Sequence, residues 1–175
     1  MKVETTSFKK IEKMLKKRQL GIIELDYSEL NLDRLISIFN NIESAFLTPR
    51  QPGMDIKTYA NKLIKNAYNF VITDNEKDIG IVSLYANDFT NKLVFINAIG
   101  LLSSYQSKNI GNIISEFIID FSKEKGMEIL KSHIDKRNQA SLGLATKFKL
   151  KIEGELDENT YIMSRDLRED EQYKN

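Results

Sequence analysis

The sequence predicts an α/β fold with a mixed, mostly antiparallel central sheet of six to seven strands and one parallel βαβ unit. Two observations predict it. Strand-like runs at residues 69–73, 79–87 and 92–102 are joined by short polar segments, which is typical of a meander of antiparallel hairpins. A helical pattern then separates residues 92–102 from the next strand-like run, 127–134, and such a crossover connects parallel strands. The remaining strand-like runs are 22–25, 150–156 and 161–167.

The helix of the βαβ unit is predicted by apolar residues at spacings of three and four. They form one stripe and are Ile110, Ile113, Ile114, Phe117, Ile118 and Phe121. Gly126 stands where this helix is expected to end. The preceding strand is apolar at residues 93–96 and 99–102, a composition typical of a strand covered on both faces.

A short polar turn between that strand and that helix is the expected ligand site. Residues 105–112 read Tyr-Gln-Ser-Lys-Asn-Ile-Gly-Asn. The free N–H groups at a helix start and the positive end of its dipole point at one place and attract anions. Gly111 lets a ligand approach the backbone, and Asn109 is of the non-glycine type that best tolerates a left-handed conformation. We therefore expect a phosphate group here, with an ordinary surface turn as the alternative.

Composition and charge argue against several classes of protein. The 175 residues fit one domain, and 41% hydrophobic with 29% charged residues is typical of a globular protein. A formal net charge of +1 argues against a dedicated nucleic-acid binder. The lack of cysteine and the single histidine, His133, argue against disulfides, a Ser-His-Asp triad and a metal site. No apolar run approaches the ~20 residues of a membrane span, so we expect a cytoplasmic protein.

The predicted organisation is one domain with two short appendages. Residues 1–20 form a basic N-terminal helical extension, 21–167 the single domain, and 168–175 a charged C-terminal tail. The apolar residues that share one face of the extension are Phe8, Ile11 and Leu15. This helix either packs on the domain through that face or contacts an anionic membrane or a partner.

The turn also resembles a known motif. Gln106, Asn109 and Gly111 resemble the pyrophosphate-binding loop of the GNAT superfamily of acetyl-CoA-dependent N-acetyltransferases, which reads Arg or Gln, two residues, Gly, one residue, then Gly or Ala. Asn109 replaces the first of these glycines. The family's motif at the start of the next helix is similar to Asn138-x-x-Ser141-Leu142-x-x-Ala145-x-Lys147. The resemblance covers residues 22–167 and implies the family's fold, with helices on both faces of the sheet.

The resemblance implies acetyl-CoA as co-substrate. In the family, the backbone of the strand before the loop binds the pantetheine arm, and loop amides hold the pyrophosphate. The positions of this chain that match are Ile99, Leu101, Gln106, Ser107, Lys108, Asn109, Ile110, Gly111, Asn112, Asn138 and Ser141. Core packing is the alternative role of Ile99 and Leu101, and a solvated side chain that of Lys108.

The sequence gives fewer indications of the residues that contact the acceptor amine. Acetyl transfer to an amine needs a group that takes the ammonium proton, yet residues 92–102 contain no carboxylate. The candidate catalytic residues are Asn97, which could hold a water, and Tyr85 on the neighbouring strand. Structural roles for both side chains, and direct attack by an amine that is already neutral, are the alternatives.

Two further expectations rest on the resemblance. Many family members place a proton-donating Tyr where this chain has Ala145. The alternatives are that another hydroxyl such as Tyr105 or Tyr161 serves, that the thiolate leaves unprotonated, or that the protein does no transfer. The loop at residues 48–53 holds both prolines of the chain and matches one wall of the family's acceptor pocket. The acceptor-binding candidates there are Arg50 and Gln51, with an exposed surface arginine as the alternative.

The predicted function is that of an N-acetyltransferase that moves an acetyl group from acetyl-CoA to the primary amine of a small molecule. An amino sugar or a nucleotide-linked amino sugar is the first acceptor considered. The alternatives are a protein N-terminal or lysine acetyltransferase and a non-catalytic acyl-CoA-binding module. We expect a monomer or homodimer without a nucleic-acid partner.

Overall fold

The computed structural model describes residues 5–42, 53–106 and 108–170. Its described helices are α1 (Thr6–Lys16), α2 (Glu29–Asn41), α3 (Ile56–Asn66), α4 (Ile110–Glu124) and α5 (Gln139–Lys147). Its strands are β1 (Leu20–Leu25), β2 (Tyr68–Asp74), β3 (Lys77–Asp88), β4 (Leu93–Leu101), β5 (Ile129–Asp135), β6 (Lys151–Asp157) and β7 (Thr160–Asp166). Short 3-10 turns occupy Ser103–Tyr105 and Leu167–Asp170. Among the described helices, none combines the length and the apolar composition that crossing a bilayer requires.

The seven strands form one sheet in the order β1-β2-β3-β4-β5-β7-β6. Neighbouring strands are antiparallel except for β4 and β5, which run parallel and are connected by α4. The predicted mixed, mostly antiparallel sheet with a central βαβ unit is therefore confirmed. The tight hairpins follow from turn chemistry, because Asn75 and Lys92 take positive φ angles of 52° and 49° between the paired strands.

Helices cover both faces of the sheet, as predicted. Successive side chains of β2 point to opposite faces of the sheet. Phe70 and Ile72 belong to the core formed with α1, α4 and α5, whereas Val71 belongs to the core formed with α2 and α3. On the first face, Phe70 lies 4.9 Å from Phe117 and 5.4 Å from Phe121, measured between ring centroids. The helix stripe predicted from spacing thus supplies two of the phenylalanines of the main core, Phe117 and Phe121.

The N-terminal helix packs its apolar face on the domain. Ile11 and Leu15 are 1% and 0% exposed and belong to the main core. Lys10 forms ion pairs of 2.6 Å with Glu116 and 2.7 Å with Asp120 of α4. The apolar face of α1 is therefore occupied by the domain itself, and its basic side chains lie around the rim of that contact.

Helix starts follow the capping residues. The Ser28 hydroxyl accepts the Asn31 N–H at 3.1 Å and caps α2. Asp55 caps α3 in the same way, and accepting the Thr58 hydroxyl and N–H lowers the pKa of its carboxyl. At the other end of α4, Gly126 takes a φ of +73°, a conformation that favours glycine.

The expectation that β4 is covered on both faces holds in part. Val94 and Ile96 pack in the main core and Ala98 packs with α2 and α3 on the other face, whereas Phe95 and Asn97 are only partly buried. These two partly buried side chains line a cavity. An apolar run has the same composition in either setting, so composition alone could not separate them.

Candidate functional site

A cavity of about 770 Å³ opens where β4 and β5 separate. Their parallel pairing runs from Leu93–Ile129 to Ile96–Ser132. Beyond these pairs, within the described part of the chain, β4 stays paired with β3 and β5 with β7. The Ser132 hydroxyl donates to the Ile96 carbonyl at 3.2 Å at the last pair. We call the place where the strands part, just after Ile96 and Ser132, the fork.

Beyond the fork, the backbone of β4 presents hydrogen-bonding groups to the cavity. The Leu102 N–H donates to the Ile79 carbonyl on the β3 side at 2.9 Å. Antiparallel pairing alternates, so the backbone groups of Ile99 and Leu101 point away from β3. The Gln106 side-chain amide donates to the Leu101 carbonyl at 3.1 Å from that side. The cavity wall is therefore a strand edge with unused pairing capacity.

The turn into α4 has the backbone geometry that its sequence favours. Asn109 adopts the left-handed conformation, with φ 61° and ψ 10°, and directly precedes α4. Its side-chain oxygen accepts a hydrogen bond from the Asn112 amide. The first-turn amides of Ile110, Gly111 and Asn112 have no acceptor within the helix and mark its positive end.

Gly111 lies where the helix start meets the cavity. A Cβ atom built there would come within 3.3 Å of Leu144 Cδ1, tighter than most side-chain contacts. Gly111 and Leu144 both line the cavity. A side chain at this position would therefore narrow the space between α4 and α5.

Two contacts hold the turn from outside. The Tyr105 hydroxyl donates to Asp74 Oδ2 at 2.6 Å, and this hydrogen bond raises the pKa of Tyr105. Arg18 Nη1, just after α1, donates to the Lys108 carbonyl at 3.2 Å. The Lys108 ammonium lies 4.8 Å from the Tyr105 ring centroid. The turn is thus fixed to the β2–β3 hairpin and to the N-terminal segment.

Most of the sequence-predicted site residues lie on this one cavity. Those that line it are Tyr85, Asn97, Ile99, Leu101, Gln106, Gly111, Asn138 and Ser141. Those that belong to the turn or the first turn of α4 without lining it are Lys108, Asn109, Ile110 and Asn112. Ser107, Arg50 and Gln51 lie outside the described residues.

Several predicted residues have a structural task that the structure identifies. The Asn138 side chain accepts the Ser141 N–H at 3.0 Å and caps α5. The Ile110 side chain is 2% exposed and packs in the main core, so only its backbone faces the turn. Ala145 lines the cavity, whereas Tyr105 and Tyr161 are absent from its described lining.

On the other side of the fork, three polar side chains converge. Ser83 pairs with Ala98 and Leu84 with Ile96, so Asn97 is the extra residue of a β-bulge. The bulge directs the Asn97 amide to the Tyr59 hydroxyl of α3 at 2.6 Å. Tyr85 lines the same cavity, and burial, followed by the nearby Tyr59, raises its pKa.

Two cavity residues were missed from the sequence. The Tyr59 ring packs 5.3 Å from that of Phe39, while its hydroxyl reaches the bulge. The His133 ring stands edge-on to Phe95 at 4.9 Å, and partial burial followed by the positive charge of Lys131 lowers the pKa of His133. A tyrosine among the apolar residues of α3 is a sequence signal for Tyr59. No comparable signal marks His133, because its place in the site depends on where β4 and β5 separate.

Comparison with known proteins gives a consistent result. The model of the acetyltransferase (GNAT) family matches residues 35–149. No curated protein matches the sequence.

Solved structures share the fold. The ribosomal-protein-S18-alanine N-acetyltransferase from Escherichia coli is 16% identical, with a TM-score of 0.64 over 83% of this chain and 94% of its own. A spermidine N-acetyltransferase from Vibrio cholerae, of dodecameric structure, is 16% identical, with a TM-score of 0.68 over 90% and 99%. A proposed acetyltransferase from Salmonella typhimurium, solved with its cofactor acetyl-CoA, is 15% identical, with a TM-score of 0.63 over 85% and 94%.

Proposed function

Because this chain belongs to the acetyltransferase (GNAT) family, whose enzymes use acetyl-CoA, we propose that it acetylates the primary amine of a small molecule. One observation carries the proposal. A single cavity joins the strand edge of Ile99 and Leu101, the start of α4 at Gly111, and the polar group around Asn97. Acetyl-CoA supplies the acetyl group as an activated thioester. The residues of this chain hold it and orient the amine.

The cofactor end of the cavity has the chemistry that acetyl-CoA needs. An extended pantetheine arm carries amides, and the backbone groups of Ile99 and Leu101 offer matching donors and acceptors. A diphosphate matches the first-turn amides of α4, and the small Gly111 leaves room beside them. Lys108 and Arg18 add positive charge near the turn. We propose these groups, together with the other turn residues and Asn138 and Ser141 of α5, as the cofactor site.

The lining of the acceptor end suits a small molecule. The whole cavity, cofactor end included, has a volume of about 770 Å³, and small-molecule sites commonly measure roughly 300–1,000 Å³. Tyr59 and Lys62 of α3 bound it on one side, and Leu156 and Asp157 of β6 on the other. These walls favour a compact acceptor over an extended peptide, and aromatic rings favour one with an apolar or ring-shaped body. An amino sugar or nucleotide-linked amino sugar is the first to test.

Asn97 and Tyr85 are the proposed polar contacts of the reacting amine. The bulge holds the Asn97 amide in place through its bond to Tyr59. Because the pKa of Tyr85 is raised, its hydroxyl keeps its proton at neutral pH and can donate a hydrogen bond but not act as a base. Arg50 and Gln51 remain proposed acceptor contacts, since the segment that carries them connects α2 to α3.

Two measurements on the wild-type protein test this proposal. Acetyl-CoA at 100 times its Kd should raise the free energy of unfolding by about 2.7 kcal/mol if only the folded state binds it. Thiol release should then appear with members of a panel of amino sugars, polyamines, amino acids and peptide N-termini. Turnover with small amines supports the proposal. Turnover with peptides alone supports the protein acetyltransferase instead, binding without turnover supports the non-catalytic module, and no stabilisation by acetyl-CoA overturns the cofactor assignment.

A further inference from the structure

We propose that the imidazole of His133 is the base that takes the proton from the acceptor amine. This assignment rests on the proposed transfer to an amine, and it names a residue outside the positions that the family motifs match. Three observations carry it: the position of His133 at the fork, the side of the sheet on which its ring lies, and the engagement of the cavity's carboxylates.

His133 occupies the position on β5 that Asn97 occupies on β4. The last parallel pair joins Ile96 to Ser132, and each of these two residues is followed by one whose side chain lines the cavity. The two strands separate at this point, so a reacting group lodged between them lies beside both side chains. The acyl carbonyl and the amine must meet in this space if the donor lies along Ile99 and Leu101.

The imidazole and the Asn97 amide lie on the same side of the sheet. The His133 ring is edge-on to Phe95, with 4.9 Å between centroids and an interplanar angle of 77°. Phe95 and Asn97 flank Ile96, whose side chain belongs to the core under α1 and α4 on the opposite face. Asn97 in turn reaches Tyr59 of α3. His133 therefore faces the half of the cavity that α3 borders, which is the proposed acceptor side.

The carboxylates of the cavity are engaged elsewhere. Asp135 is 6% exposed, and its two oxygens accept hydrogen bonds of 2.9 and 2.7 Å from the Arg137 guanidinium. Asp157 Oδ1 accepts the Asn159 N–H at 2.8 Å in the β6–β7 turn. His133 is the chain's single histidine, and imidazole has an ordinary pKa near neutrality, which suits proton transfer at physiological pH.

The surroundings of the partly exposed imidazole favour its neutral form. Burial lowers the pKa of His133, the positive charge of Lys131 lowers it further, and Asp157 opposes both. Lys131 itself is paired with Glu153 at 2.9 Å. The charged and titratable groups around the imidazole, on its own strand and from the elements that share the cavity, are Lys131, Asp135, Asp157, Tyr85, Tyr59 and Lys62. A neutral ring has one nitrogen with a free electron pair and can accept a proton.

The proton transfer completes a balanced reaction. As the amine nitrogen bonds to the acetyl carbonyl carbon, its N–H becomes acidic, and His133 takes that proton. The carbon–sulfur bond breaks, and the imidazolium returns the proton to the departing sulfur as a thiol. His133 is then neutral again, and one amine and one thioester have become one amide and one thiol.

Activity against pH in wild type, His133→Gln and Lys131→Met tests the assignment. His133→Gln should lower kcat by about 10²- to 10⁴-fold, the range that a positioned base contributes, with unchanged stabilisation by acetyl-CoA. At pH values below the pKa of His133 and that of the acceptor amine, log kcat/KM should rise with pH with a slope of about two in wild type. In His133→Gln the slope should be about one, since only the amine then has to lose a proton. Lys131→Met should instead raise the acidic pKa of the profile, because it removes a positive charge near the ring.

The outcomes separate this assignment from the function on which it rests. A His133→Gln enzyme with kcat near that of wild type and an unchanged slope overturns the assignment alone. Wild-type protein that turns over no amine overturns the proposed function and the assignment with it. If His133→Gln also loses stabilisation by acetyl-CoA, Lys131→Met decides, and an unmoved acidic pKa there overturns the assignment.

Discussion

The two ends of the cavity are built in different ways. The proposed cofactor end comes mainly from residues 99–106 and 108–112 and uses backbone groups of a strand and a helix start. The acceptor end takes side chains from four elements, with Tyr59, Tyr85, Asn97 and His133 contributed by α3, β3, β4 and β5. A main-chain site is encoded by local pattern, whereas a side-chain site depends on strand register and helix packing. The comparison also predicts that variants at the two ends alter different quantities.

The largest expected effect on cofactor binding is that of Gly111→Val. A Cβ alone would lie 3.3 Å from Leu144 Cδ1, and crowding of this kind costs roughly 1–3 kcal/mol. We therefore expect acetyl-CoA affinity to fall by about 10- to 100-fold, measured by calorimetry. Gly143→Val is the matched control, because it places the same side chain on a helix with no atom within 4 Å of its Cβ. Equal losses in both variants would contradict a cofactor site at Gly111.

Asn97→Ala should show the opposite pattern, with slower transfer and unchanged cofactor affinity. Removing the hydrogen bond to Tyr59 costs roughly 0.5–1.5 kcal/mol, so kcat/KM for the amine should fall by about 3- to 10-fold. Tyr59→Phe deletes the other partner and should have a similar effect. The double variant should lose less than the sum of both, since the two side chains act through one contact. Additive losses, or weaker cofactor binding, would place Asn97 outside the acceptor end.

Arg18→Met tests whether a residue far from the turn in sequence also contributes to cofactor binding. Arg18 lies about ninety residues from the turn in sequence, yet donates to the Lys108 carbonyl at 3.2 Å. Because this contact is exposed, we expect acetyl-CoA affinity to fall by only about threefold, with kcat unchanged. Lys17→Met removes the same charge one residue earlier and serves as the control. If the two variants behave alike, charge near the turn matters and the specific hydrogen bond does not.

The smallest expected effect concerns stability against pH. His133 has a lowered pKa in the folded protein, so the unfolded chain binds the proton more readily. Its contribution to stability is present above the ordinary pKa of 6.5 and is lost as the pH falls through the lower, folded value. The melting temperature of wild type should therefore drop slightly more between pH 7 and 5 than that of His133→Gln. A larger drop in the variant would contradict the direction of the pKa change.

The sequence predicted the structural features that depend on neighbouring residues in the chain. Apolar spacing predicted α4, Gly126 predicted its end, and the tolerance of asparagine for positive φ suited Asn109 to its left-handed turn. Each of these depends on neighbours within about four residues. The resemblance to the family also rests on local motifs, in the turn and at the start of α5, whereas the match to the family model spans residues 35–149.

What the sequence did not provide depends on the third dimension. Asn97 projects towards Tyr59 because of a bulge in the β3–β4 register, and the run of apolar residues in β4 carries no mark of it. His133 belongs to the site only because β5 parts from β4 immediately before it. Strand register and the separation of β4 from β5 are set by the whole sheet. The residues next to Asn97 or His133 in the sequence therefore do not determine them.

The backbone edge of Ile99 and Leu101 has a consequence for divergence. If the donor is bound through main-chain groups, the side chains at those positions only have to fit the core. Substitutions can then accumulate there without loss of acetyl-CoA binding. The acceptor end has no such freedom, because each change to its side chains alters what can bind. Over evolutionary time a fold of this kind can therefore change its substrate repeatedly while keeping one donor.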